Sequence, residues 1–132
     1  MKILLIDDDP DFRHAAHRFL RSHGHVILEA GRCQDGERLL AMHLVDFVIV
    51  DGLLPDGDGL AWVKRQRDAG MKLPVLFVSA FRKTAQEQQR LRQECGLNDF
   101  LDKPITAAAL LARVERLEKQ CRQASSNDHR PA

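Results

Sequence analysis

The residues that most restrict this chain are Phe47-Val48-Ile49-Val50-Asp51, an apolar run that ends in a carboxylate and leads into Gly52-Leu53-Leu54-Pro55-Asp56-Gly57-Asp58-Gly59. A short run without polar alternation reads as a strand covered on both faces, as in a parallel sheet. The glycines and the proline end it and leave Asp51 at its C-terminal edge. In open α/β sheets that edge is where ligands bind.

The same pattern recurs along the chain. Lys2 to Ile6 is a second apolar run, stopped by Asp7-Asp8-Asp9-Pro10, where Asp9 suits an N-cap and Pro10 a first helical position. The following helix places Phe12, Ala15, Ala16, Phe19 and Leu20 on one face and stops at Gly24. Val26-Ile27-Leu28 predicts a second strand, and Gln34 to His43 a helix with Leu39, Leu40 and Met42 inward. After Asp51, Gly59 to Ala69 predicts a helix with Leu60, Trp62 and Val63 inward. Pro74 to Val78 is a fourth strand that delivers Ser79.

Thr84-Ala85-Gln86-Glu87 is a capping box opening a polar helix with only Ala85, Leu91 and Cys95 to pack. Such a weakly anchored helix is expected to move or to dock a partner. Phe100-Leu101 forms a fifth strand, closed by Asp102-Lys103-Pro104. Thr106 caps a last helix with Ala107, Leu110, Leu111, Val114, Leu117 and Cys121 inward. Five strands alternating with five helices predict a three-layer α/β/α sandwich around a doubly wound five-stranded parallel sheet, in the flavodoxin-like order 2-1-3-4-5. One domain is expected over 1–123, with 124–132 a polar, disordered tail or the start of a linker.

A formal net charge of +1 over 132 residues gives no basic surplus, so neither direct nucleic-acid binding nor membrane binding is expected. The three cysteines, Cys33, Cys95 and Cys121, are far apart and suit a reducing cytoplasm, where they are expected to be passive. The first apolar run meets Asp7 too early for a signal peptide or a membrane span. His14, His17, His23 and His25 lack a Cys or acidic partner at zinc-ligand spacing, so surface histidines are expected.

The predicted fold gathers Asp7, Asp8, Asp51, Ser79 and Lys103 at one sheet edge. Converging carboxylates repel one another unless a cation lies among them, and an all-oxygen set suits Mg²⁺. Lys103 adds a point charge and Ser79 a hydroxyl. These groups fit phosphoryl transfer onto Asp51. No P-loop or G-x-G-x-x-G is present, so a separate donor must bring the phosphoryl group.

These motifs, with Val78-Ser79-Ala80 and Asp99-Phe100-Leu101-Asp102-Lys103-Pro104, resemble the receiver domains of bacterial two-component response regulators, chemotaxis-regulator-like modules, over residues 1–121. The resemblance implies that Asp51 is the phosphoacceptor and modified residue, and that Asp8 is a direct metal ligand. It further implies that Asp7 acts through metal-bound water and that the Leu53 carbonyl completes the protein ligands. Ser79 and Lys103 would grip the phosphoryl oxygens, and Lys103-Pro104 would be cis. Phe100 would be the switch aromatic, moving with Ser79 to repack the face of the fourth helix, fifth strand and fifth helix.

That face is also the expected surface for a homodimer. The implied donors are a sensor histidine kinase or a histidine phosphotransfer protein, and the implied reader is a downstream protein or output domain. The module would accept a phosphoryl group rather than act as an enzyme. Phe in place of the commoner Tyr implies an inward bias of ring 100. Apolar Leu53 and Phe81, flanking the water route to the aspartyl phosphate, imply slow self-dephosphorylation. The rival readings are a haloacid-dehalogenase-like phosphatase, with Asp7 as nucleophile and Asp9 as acid/base, and a degenerate receiver that only binds protein.

Overall fold

The alternation of apolar runs becomes five parallel strands in the computed structural model, which describes residues 1–81 and 83–128. In chain order they are β1 (Lys2–Ile6), β2 (Val26–Ala30) and β3 (Phe47–Asp51), then after a short ribbon β6 (Val75–Ser79) and β7 (Asp99–Asp102). The ribbon consists of β4 (Leu53–Leu54) and β5 (Gly57–Asp58), paired antiparallel. The sheet runs β2-β1-β3-β6-β7, the expected 2-1-3-4-5 order once the ribbon is set aside.

Helices α1 (Pro10–Ser22), α2 (Cys33–Met42), α3 (Gly59–Asp68), α4 (Ala85–Cys95) and α5 (Ala107–Asp128) connect and follow the strands. Because strand side chains alternate, the sheet feeds two cores. Ile3, Leu5, Ile49 and Val78 pack with Leu20 of α1 and with Leu110, Val114 and Leu117 of α5. Leu4, Ile6, Val50 and Phe77 pack with Trp62 and Val63 of α3, Leu91 and Cys95 of α4, and Phe100. Full burial of one Leu or Val is worth roughly 1.5–3 kcal/mol, so these two layers dominate the stability.

Several expectations are corrected. Strand β2 extends through Glu29 to Ala30, because Glu29 finds polar partners on α1 and does not end the strand. Met42 is 69% exposed; it is the last residue of α2, past the turn that covers the sheet. Ala15 and Ala85 are exposed, being too small to reach the core from the flank of the stripe. His25 is buried, its Nδ1 3.1 Å from the N-terminal ammonium, and burial together with that ammonium lowers its pKa.

Helix α5 runs on to Asp128, so 124–128 are helical backbone, where a disordered tail or the start of a linker was expected. Extending an existing helix needs no new nucleus, and the chain offers no Gly or Pro there until Pro131. The rest of that tail lies outside the described residues. No described helix is long and apolar enough to cross a membrane.

Helix α4 is better fastened at one end than its polarity implies. The Arg67 guanidinium donates to the carbonyls of Cys95 (3.1 Å), Gly96 (2.9 Å) and Met71 (3.0 Å). Gly96 takes the left-handed conformation (φ 64°) that closes the helix. The other end is closed by the expected capping box of Thr84 and Glu87.

Candidate functional site

Strand register sets the site. Asp51 pairs with Val78 and Ser79 with Asp102, and the Lys103 amide then donates 2.8 Å to the Ser79 carbonyl. On the other side the Asp7 amide donates 3.0 Å to Ala30. Asp7, Asp51, Ser79 and Lys103 therefore emerge from four strand ends on one rim.

The carboxylates of Asp7, Asp8 and Asp51 each present an oxygen within 4.8 Å of the others. Asp7 and Asp51 are buried and Asp8 is exposed. The Lys103 ammonium donates 2.8 Å to Asp7 Oδ2 and stands 3.4 Å from Asp51 Oδ2. The other Asp7 oxygen accepts the Asp9 amide at 2.9 Å.

Burial, then the Asp7 charge, raises the Asp51 pKa against the opposing pull of Lys103. Burial depresses that of Lys103, but its bond to Asp7 and the charges of Asp7 and Asp51 outweigh burial and raise it. One ammonium thus serves two acids, and the third carboxylate leaves the cluster short of positive charge.

Ser79 is buried, and its Oγ accepts the Phe81 amide at 3.0 Å, which leaves the hydroxyl hydrogen to donate into the cleft. The cleft measures about 630 Å³ and is bordered by Asp8, Asp51, Leu53, Ser79, Phe81 and Lys103. Leu53 (70%) and Phe81 (69%) expose their side chains at its mouth. Phe100 points inward at 7% exposure, edge-on to Phe77 with centroids 6.3 Å apart and under the Arg92 guanidinium at 5.0 Å. The Lys103–Pro104 peptide is cis.

The loop after Asp51 folds back because Gly59 allows it. The Gly59 amide donates 2.9 Å to Gly52 O, and a Cβ there would stand 2.0 Å from the Asp51 carbonyl oxygen. Asp58 caps α3 through the Leu60 amide at 2.9 Å.

Every residue expected at the rim is brought there. Missed were the supports around it: Arg13, which donates 2.8 Å to the Asp7 carbonyl, and Asp56, which accepts the Cys33 and Gln34 amides at 2.8 and 2.9 Å. The one advance signal was the Leu54-Pro55-Asp56-x-Asp58-Gly59 motif, which marked Asp56 without revealing its partner.

A family model described as the response regulator receiver domain matches residues 3–115. The transcriptional regulatory protein DltR of Streptococcus agalactiae is 31% identical over 120 residues, covering 91% of this chain and 53% of that protein. The virulence transcriptional regulatory protein PhoP of Salmonella typhimurium is 32% identical over 120 residues, with the same coverages of 91% and 53%. The chain spans about half the length of these curated relatives. A solved two-component response regulator from Clostridium difficile shares the fold at a TM-score of 0.82 and 26% identity, over 92% of this chain and 98% of that one.

Proposed function

The chain belongs to the response regulator receiver domain family, and from that premise we propose that it accepts a phosphoryl group on Asp51 within a two-component phosphorelay. The observation that carries this reading is the Lys103 ammonium lodged between Asp7 and Asp51, 2.8 and 3.4 Å away, beside a third carboxylate.

The all-oxygen donor set fits Mg²⁺. Asp8 and Asp51 would hold the ion directly, Asp7 through a coordinated water, and the Leu53 carbonyl would complete the protein ligands. Bound there, it supplies the positive charge that the three acids lack and that a phosphoryl group requires.

An Asp51 carboxylate oxygen forms the new bond to phosphorus while the bond from phosphorus to the donor breaks, its electron pair leaving with the donor. Lys103 and the Ser79 hydroxyl hold the phosphoryl oxygens. Ser79 turning toward them draws the loop at Phe81, and the packing of Phe100 carries the change to the α4–β7–α5 face. A sensor histidine kinase or phosphotransfer protein is the donor in the cytoplasm, and a downstream protein or output domain is the reader. That same face is the proposed homodimer surface.

The phosphatase reading requires Asp7 as nucleophile, but both Asp7 oxygens are engaged, by Lys103 and the Asp9 amide. The test is incubation with Mg²⁺ and a small acyl phosphate. An acid-stable, base-labile adduct forms on Asp51 and is absent from Asp51→Asn. Catalytic consumption of the donor through Asp7 would favour the phosphatase, and no reaction at all would favour a binding-only module.

A further inference from the structure

A polar network on the far side of β1 reaches the acidic turn from outside the cleft. Arg13, one turn into α1, donates through Nη1 to the Asp7 carbonyl at 2.8 Å and through Nε to Glu29 Oε1 at 3.0 Å. Glu29 Oε2 lies 2.6 Å from His17 Nδ1, and Glu29 Oε1 lies 3.6 Å from His14 Nε2. Both members of the Arg13–Glu29 pair are half-buried. Gly31 leaves the room for it, since a Cβ there would stand 3.2 Å from Arg13 Nη1.

The Asp7 carbonyl belongs to the planar peptide that leads into Asp8. Fixing that oxygen fixes the direction in which the chain leaves β1, and with it the position of Asp8. Asp7 is buried and tied through both carboxylate oxygens, whereas Asp8 is exposed, so control of that peptide plane matters most for Asp8. A lone guanidinium beside the pocket would repel a dication; the Glu29 carboxylate cancels its charge.

We propose that Arg13, oriented by Glu29, is a positioning residue for the Asp7–Asp8 turn and sets its Mg²⁺ affinity through the Asp7 carbonyl. The inference rests on the phosphoacceptor reading above. Arg13 touches neither the ion nor the phosphoryl group, so it governs how much Mg²⁺ is needed rather than the rate once Mg²⁺ saturates.

The test is Mg²⁺ binding by titration calorimetry, beside the Mg²⁺ dependence of phosphorylation by a small acyl phosphate. Arg13→Ala weakens Mg²⁺ binding about tenfold, the scale seen for outer-shell partners, while the rate at saturating Mg²⁺ holds. Arg13→Lys restores part of the affinity. The double variant Arg13→Ala/Glu29→Ala is no weaker than Arg13→Ala, because Glu29 works through Arg13.

Unchanged affinity in Arg13→Ala, or a lost plateau rate with affinity intact, overturns the inference. Should Arg13→Ala fail to fold, Glu29→Gln decides: the uncancelled guanidinium must lower Mg²⁺ affinity, and no change overturns the proposal. A wild-type chain that neither binds Mg²⁺ nor is phosphorylated removes the phosphoacceptor reading as well. A normal wild type beside an indistinguishable Arg13→Ala removes only this inference.

Discussion

The Asp56 carboxylate, in the loop that follows Asp51, accepts the amide of Cys33 at 2.8 Å and so caps α2 from another part of the chain. The residue at the usual capping position, Arg32, makes no side-chain cap bond. Asp56 also accepts the Gln34 amide at 2.9 Å, tying the loop after Asp51 to the helix beside it.

These amide bonds, that of Gln34 foremost, hold the Asp56 pKa below its ordinary value. A group depressed in the folded state contributes stability that is complete above its unfolded pKa, about 3.9, and is lost as pH falls through the folded value. Asp56→Ala is therefore expected to lower the melting temperature at pH 7, and the gap from wild type to narrow below pH 4. Parallel thermal melts across that range check it; a gap that stays constant would show that the carboxylate charge is irrelevant.

Two glycines beside Asp51 should respond differently to alanine. At Gly59 the added Cβ would meet the Asp51 carbonyl at 2.0 Å, a backbone atom that cannot step aside. At Gly52 it would meet the tip of Phe77 at 2.8 Å, which a ring rotation relieves. Gly59→Ala is expected to cost about 3 kcal/mol, the upper range for overpacking, and Gly52→Ala about 1 kcal/mol. Urea midpoints for the two variants measure the difference.

Leu53 and Phe81 stand exposed at the cleft mouth and offer no polar atom to orient a water. Leu53→Asn combined with Phe81→Glu is expected to release phosphate from Asp51 faster than wild type. The decay of the phosphorylated chain, after the donor is removed, gives the rate. An unchanged decay would separate these side chains from phosphoryl lifetime.

Arg67 of α3 fixes the C-terminal end of α4 through the carbonyls of Cys95 and Gly96, while its bond to the Met71 carbonyl braces the guanidinium from its own side of the contact. Arg67→Met removes those bonds and is expected to cost about 2 kcal/mol, since hydrogen bonds from a charged donor are the stronger kind. Amide exchange should rise at Leu91 to Gly96 more than at the start of α4. Equal protection along the helix in both proteins would show that Arg67 does not anchor it.

What could be read in advance followed from local pattern. The apolar runs ending at Ile6, Asp51 and Val78 marked the strand ends because a buried parallel strand leaves no polar alternation. Once the strand order was inferred, Asp7, Asp51, Ser79 and Lys103 had to share a rim. The supports were not legible, because Arg13–Glu29, Asp56–Cys33 and Arg67–Gly96 are polar contacts between distant segments and leave no periodic trace. Met42 failed for a related reason: its spacing continued the apolar stripe while the surface it would have covered had ended. The ribbon Leu53–Leu54/Gly57–Asp58 was hidden inside a stretch whose glycines and proline announced only a turn.

The bond between Lys103 and Asp7 joins residues 96 positions apart, from opposite ends of the chain. A fragment released after α4 would carry all the acids and none of the ammonium that quiets them. The charge balance of the rim is therefore completed only when the final strand is made, since Lys103 follows β7 while Asp7, Asp8 and Asp51 precede α4.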